Sequence, residues 1–182
     1  MARETYLPVL FRLFRRCGYD GVSLAQIAKA TGLGKASLYH HFPGGKVEMV
    51  QETLAYSGRW MSTHIVMPLR GDGTPLERLQ QMCDRISELY DAGEQPCLLG
   101  SLTVGAMQDK FHDAVRARLQ LLIDAIAAVL MEAGLSRSLA QQRGEDAVMT
   151  IQGALILSRG LGEPAPFQRA VAQLPERLLA GH

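Results

Sequence analysis

Apolar positions recur at helical spacing almost from the first residue of the chain. Leu7, Leu10, Phe11 and Phe14 fall at i, i+3, i+4 and i+7, which predicts a helix of about three turns stopped by Gly18 and Asp20-Gly21. Pro8 is tolerated only in a first turn, so this helix begins one or two residues before it. Ser23 followed by Gln26 has the form of a capping box, in which the serine oxygen accepts an orphan amide and the Gln26 side chain reaches back. A short helix is predicted over 24–31, with Leu24, Ile27 and Ala28 inward. Gly32 ends it and suits a positive φ, and Lys35 opens another short helix to about His41. Two helices of about two turns, joined by a three- or four-residue turn with glycine, have the dimensions of a helix-turn-helix.

Beyond Pro43-Gly44-Gly45 the periodic segments lengthen. A helix over 46–67 is on the order of 30 Å long and stops before Pro68. Pro75 opens another to about Ala92, and Cys97 to Met107 reads as a short helix rich in small residues. Phe111, Val115, Leu119, Leu122, Ile126 and Val129 mark a long helix ending near Gly134, followed by helices over 138–161 and 166–180. No segment reads as a strand. The expected fold is all-α, with a three-helix head over 1–45 and a larger helical body over 46–182.

Composition adds a sign to the head. The chain of 182 residues carries a formal net charge of only +1, which by itself does not announce a polyanionic partner. Through Phe42, however, the only acids are Glu4 and Asp20, against Arg3, Arg12, Arg15, Arg16, Lys29 and Lys35. Cys17, Cys83 and Cys97 lack CxxC spacing, which suits a reduced cytoplasmic protein rather than a disulfide framework or a zinc site. No apolar run approaches the ~18 residues of a membrane span and no signal peptide opens the chain, so a cytoplasmic protein is expected.

The stretch Gly32 to Phe42, GLGKASLYHHF, concentrates the chemistry. Leu38 and Phe42, four apart, must point inward, leaving Lys35, Ser37, Tyr39, His40 and His41 over the other faces with no acid among them. A solvated helix usually mixes its charges, whereas a helix that approaches phosphates needs donors without carboxylates. Ala36 is small enough for close approach and for contact with a thymine methyl. Adjacent His40 and His41 point about 100° apart and do not form the i, i+4 pair that clamps a metal; no carboxylate here orients a base. No metal or other cofactor is expected.

With LFRRCGYDGVSLAQIAKATGLGKASLYHHFPGGKVEMVQETL at its heart, the span from about Leu7 to Leu54 resembles the amino-terminal DNA-binding domain of the tetracycline-repressor-like (TetR) family. The likeness joins helix-turn-helix spacing, the LYHHF sequence and a lysine after the following break, Lys46. It implies that Ser23, Tyr39 and Lys46 contact phosphates of double-stranded operator DNA, that Gly34, Lys35, Ala36 and Ser37 approach base edges, and that His40 lies near the backbone. Lys35 is the best candidate to read guanine, with a phosphate as its other destination. Three features depart from the family pattern. Gly34 replaces a Ser or Thr cap, Pro8 interrupts the first helix, and the amino-terminal extension carries only Arg3, too little for an added minor-groove arm.

In the family such a head is joined to a ligand-binding and dimerisation body. IQGALILSRGLG, Ile151 to Gly162, mixes small and apolar residues beyond the needs of one core face, and the last helix adds Phe167, Val171, Leu174 and Leu178. The last two helices are therefore the expected homodimer interface, or else they close the monomer core. Trp60, Met61, His64, Met82, Tyr90, Met107 and Phe111 are candidates to line an effector pocket, although each is also ordinary core material. PCLLGSL, Pro96 to Leu102, resembles a family subgroup that includes repressors of multidrug-efflux and flavonoid-responsive genes, which points to an apolar or aromatic effector. The expected function is a ligand-responsive transcriptional regulator, most simply a repressor, that binds a near-palindromic operator as a dimer. The alternative is a helical small-molecule-binding protein whose head no longer reads DNA. An enzyme ranks last, since no GxSxG, P-loop or HExxH pattern occurs.

Overall fold

The computed structural model describes residues 3–181, and these are all-α, with no strand among them. The helices are α1 (Leu7–Cys17), α2 (Leu24–Thr31), α3 (Lys35–His41), α4 (Gly45–Met61), α5 (Met67–Leu69), α6 (Pro75–Leu89), α7 (Leu98–Ser101), α8 (Gln108–Glu132), α9 (Arg137–Leu161) and α10 (Ala165–Leu179). They divide into two compact units. The first contains the described part of Met1–Arg59 together with Cys97–Val115; the second contains Trp60–Pro96 and the described part of Arg116–His182.

In the first unit the apolar spacing of α1 buries Leu7, Leu10 and Phe14, while Ile27, Leu38, Phe42, Met49, Val50 and Leu54 from α2 to α4 are buried in turn. Each such side chain contributes roughly 1.5–3 kcal/mol by leaving water. Pro8 sits in the first turn of α1, after a 3-10 turn at Glu4–Tyr6, so its missing amide costs nothing. Gly32 adopts φ 72°, ψ 10° and turns the chain from α2 into α3. The segment from Cys97 packs on the end of α1, where Ser101 Oγ donates to the Arg15 carbonyl at 2.7 Å. A Cβ on Gly18 would meet the Ser101 carbonyl oxygen at 2.9 Å, so the approach requires glycine there.

The second unit is built on α10, which packs against α9 and α6. Ser158 Oγ on α9 accepts the Phe167 amide at 2.9 Å, satisfying an orphan donor in the first turn of α10. Arg143 on α9 closes the other end, donating to the Leu178 and Ala180 carbonyls. Arg78 is buried, and its guanidinium donates to the Leu69 carbonyl and to Glu132.

Four expectations are corrected. The helix expected to stop before Pro68 continues to Leu69 through a π turn at Ser62–Val66, in which the Met67 amide bonds the Ser62 carbonyl. Opening the ladder immediately before Pro68 accommodates a residue that has no amide to donate. The helix from Pro75 ends at Leu89 rather than Ala92, because Asp91 and Ala92 take φ 50° and 51°. The helix expected over Cys97 to Met107 shrinks to α7, Leu98–Ser101; Gly105 takes φ 100° and the Ala106 amide bonds Asp20 at 2.9 Å instead of a helical carbonyl. Finally, Phe167, Val171, Leu174 and Leu178 on the last helix, expected at an interface, are buried in the chain's own core.

Candidate nucleic-acid interface

The site grows from a helix too short to stand alone. An isolated seven-residue helix is unstable in water, so α3 is held by Leu38 and Phe42, which are 1% and 0% exposed. Every other candidate on it, Lys35, Ala36, Ser37, Tyr39 and His40, is exposed, as is Gly34 before it. Gly34 stands at the N-cap with no side-chain bond to the helix amides. The orphan amides of the first turn and the Lys35 ammonium thus face the same solvent, an arrangement that favours anions.

Ser23 is exposed at the N-cap of α2, and the capping box forms in full. Its Oγ accepts the Gln26 amide at 3.2 Å while Gln26 Oε1 accepts the Ser23 amide at 2.7 Å. Lys46, in the first turn of α4, is half-buried. Its Nζ donates to the Val22 carbonyl at 2.9 Å and lies 4.1 Å from the centroid of the Tyr19 ring. An ammonium has three donors, so this internal anchoring leaves capacity for a phosphate. Tyr39 lies beside Gly45, where an added Cβ would make only ordinary contact, 3.5 Å from Tyr39 Cε1; the φ of 64°, and not space, is what favours glycine there. The eight head residues therefore fall on α3 and its N-cap, on the N-cap of α2 and at the start of α4.

Arg3 is the contributor that sequence reasoning missed. Its guanidinium donates to the His41 carbonyl at 2.8 Å, pairs with Glu48 and Glu52, and stacks 5.1 Å over the Phe42 ring. Glu48 also accepts the Gly44 amide at 2.7 Å. Tyr6 meets the His41 ring at 5.2 Å. No local pattern announces these contacts, because their partners lie tens of residues away.

The effector candidates scatter. Phe111 is buried in the first unit with its ring 5.7 Å from Tyr19, and Met107 is half-buried in the turn before α8. In the second unit Met61 and Met82 are buried, and Tyr90 meets Phe167 edge-on at 6.0 Å. Trp60 and His64 stack with centroids 4.6 Å apart and planes 13° apart, and His64 Nδ1 bonds the Trp60 carbonyl at 2.9 Å. Since a carbonyl only accepts, Nδ1 is the donor in this bond. Two clefts in this unit, of about 190 and 230 Å³, are lined from α6 with α10 and from α9 with α10, and neither includes any of the seven candidates. Cys83 lines the first.

Comparison with known proteins agrees with a helix-turn-helix head joined to a regulator body. The profile described as bacterial regulatory proteins, tetR family, matches residues 9–53. The profile described as transcriptional regulator LmrA/YxaF-like, C-terminal domain, matches residues 75–173, more than half of the chain. The chain is 28% identical to the uncharacterized HTH-type transcriptional regulator YxaF of Bacillus subtilis (strain 168), across 96% of this chain and 93% of that one. It is 25% identical to the HTH-type transcriptional regulator LmrA of the same organism, across 97% and 96%. In fold it is similar to a TetR transcriptional regulator from Legionella pneumophila, with a TM-score of 0.83 at 19% identity over 97% of both chains. The regulatory protein TetR from Rhodobacter sphaeroides gives 0.82 at 21% identity over 96% of this chain and 97% of that one. The chain therefore belongs to the tetR family of bacterial regulatory proteins: it is a helix-turn-helix transcriptional regulator with an LmrA/YxaF-like carboxy-terminal domain, and not an enzyme.

Proposed function

We propose that this regulator is a homodimeric repressor that occupies a near-palindromic operator and leaves it when a small apolar or aromatic effector binds the body. One observation carries the DNA-reading part: α3 exposes Lys35, Ser37, Tyr39 and His40 with no acid among them. Gly34, Lys35, Ala36 and Ser37 approach base edges, Ser23, Tyr39 and Lys46 hold phosphates, and His40 lies near the backbone. Two such heads related by a two-fold axis would read successive major grooves, about 34 Å apart. The functional division is a reader over 1–45 and an effector and dimer region over 46–182, acting on the chromosome in the cytoplasm.

The outward face of α9 supports association of two copies through the end of the chain, since Met149, Ile156, Leu157 and Leu161 are exposed there. The Trp60–His64 pair supports an aromatic effector, which would stack on the indole. Release requires the effector to prefer the non-binding conformation, by ~5.5 kcal/mol for a nearly complete switch.

Titration of the purified protein against DNA upstream of its own and adjacent genes, at several salt concentrations, tests this reading. Specific binding that falls steeply with salt and is lost in Tyr39→Ala is the expected result. A folded protein with no sequence preference would overturn it.

A further inference from the structure

We propose that Arg3 is a positioning residue for sequence reading, a clamp that fixes the carboxy-terminal end of α3 onto α4. The inference rests on the assignment of α3 as the DNA-reading helix. Its grounds are geometric. α3 has seven residues and no side-chain cap at its start, so its orientation depends on Leu38, Phe42 and whatever holds its far end. Arg3 supplies that hold. One guanidinium donates to the last carbonyl of the helix, that of His41, covers the ring of Phe42 that follows it, and reaches both Glu48 and Glu52 on the first turns of α4.

The planar fork of arginine is what permits this. It presents five donors in fixed directions and an apolar face, so one side chain serves a carbonyl, two carboxylates and an aromatic ring. A lysine of equal charge offers a point, not a fork. Arg3 thereby commits its guanidinium to both carboxylates of α4, Glu48 and Glu52. A commitment of this kind is the opposite of an arm that leaves the protein to enter a minor groove, because among the described residues the guanidinium of Arg3 bonds or stacks on His41, Phe42, Glu48 and Glu52.

A clamp and a phosphate contact have different signatures. A phosphate contact strengthens operator and random DNA alike, whereas a residue that aims α3 acts on the difference between them. The test uses an operator selected by the wild-type protein from a pool of randomised duplexes, a random-sequence duplex of equal length, and full-length Arg3→Ala, Arg3→Lys and Glu52→Gln, all assayed well below their measured melting temperatures. Arg3→Ala is expected to weaken operator binding about tenfold, as loss of charge-assisted bonds at one end of the reading helix would, with random-DNA affinity within about twofold of wild type. Arg3→Lys is expected to resemble Arg3→Ala, and Glu52→Gln, which removes one arm, to lose about two- to threefold. Equal losses on both DNAs, full rescue by lysine, or an Arg3→Ala protein with wild-type discrimination would each overturn the clamp while leaving α3 as the reader. A wild-type protein that selects no sequence would instead overturn the assignment of α3 itself, and the clamp with it.

Discussion

The ammonium of Lys46 rests 4.1 Å from the centre of the Tyr19 ring and donates to the Val22 carbonyl at 2.9 Å. A residue assigned to phosphate contact is therefore already an internal fastener, tying the start of α4 to the turn that precedes the Ser23 cap. A cation over an aromatic face contributes about 0.5–1 kcal/mol at a partly exposed site. The same amine keeps two further donors for DNA.

Lys46→Ala should consequently show two defects rather than one. Thermal unfolding should shift down by about 2–4 °C for each kcal/mol lost in a chain of this size. Operator binding should weaken, and the slope of log affinity against log salt should shrink by about one. A salt titration measures the second effect; an unchanged slope beside lower affinity would mean that Lys46 only positions the turn.

Ser23 and Thr74 make matching capping boxes, one in each compact unit. Thr74 Oγ1 accepts the Glu77 amide, and the bonds from the Thr74 backbone amide and hydroxyl hold the Glu77 carboxyl below its ordinary pKa. Replacing either cap by alanine should cost about 1 kcal/mol of stability. Only Ser23→Ala should also weaken operator binding, measured by fluorescence anisotropy at a temperature where both variants are folded. Equal DNA affinity in the two variants would remove Ser23 from the interface.

Cys83 is buried, and burial, aided by the charge of Asp84, pushes its thiol up from 9.0 to about 12. The unfolded chain therefore releases this proton first as pH rises. Stability from this group is fully present below pH 9 and declines between pH 9 and 12, by on the order of 1.4 kcal/mol per pH unit. Denaturant titrations of wild type and Cys83→Ala over that range should diverge in this direction, with no difference in pH slope below 9. At pH 8 iodoacetamide should label exposed Cys17 and leave Cys83 untouched until the protein is unfolded.

The head was legible in the sequence because its signals are local. Apolar spacing placed α1, α2 and α3, the Ser23–Gln26 box appears as written, and Gly32 takes the positive φ its turn requires. Periodicity records that a face is apolar but not what covers it. For that reason Phe167, Val171, Leu174 and Leu178, read as interface material, close the chain's own core, whereas Gly153, Ile156 and Gly160 of the neighbouring helix remain outside. The Arg3 contacts were invisible for another reason: Glu48 and Glu52 lie 45 and 49 residues away, and nothing in a local pattern pairs them with Arg3. The left-handed Asp91 and Ala92 likewise reflect constraints that residue propensities do not encode.

The outward stripe of α9 yields the test of assembly. Met149 is 62% exposed, Ile156 74%, Leu157 52% and Leu161 59%, with Gly153 and Gly160 between them and free of bulk. Single exposed apolar residues are ordinary, but four on one helix face with intervening glycines fit close approach of a second helix. Ile156→Arg places a charge where the partner's apolar stripe would lie, at little cost to the monomer because the side chain is already in water. Sedimentation velocity at micromolar concentration should show the variant moving from dimer to monomer, with melting little changed at equal subunit concentration beyond the loss of dimer linkage. Operator affinity should fall by more than tenfold, because a lone head contacts one half-site and too few phosphates. Ile151→Ala, on the buried face of the same helix, should behave oppositely: it should cost about 2–5 kcal/mol of stability through the cavity left behind, without a charge to force the copies apart. An Ile156→Arg protein that remains dimeric and binds its operator normally would move the interface to another surface of the body.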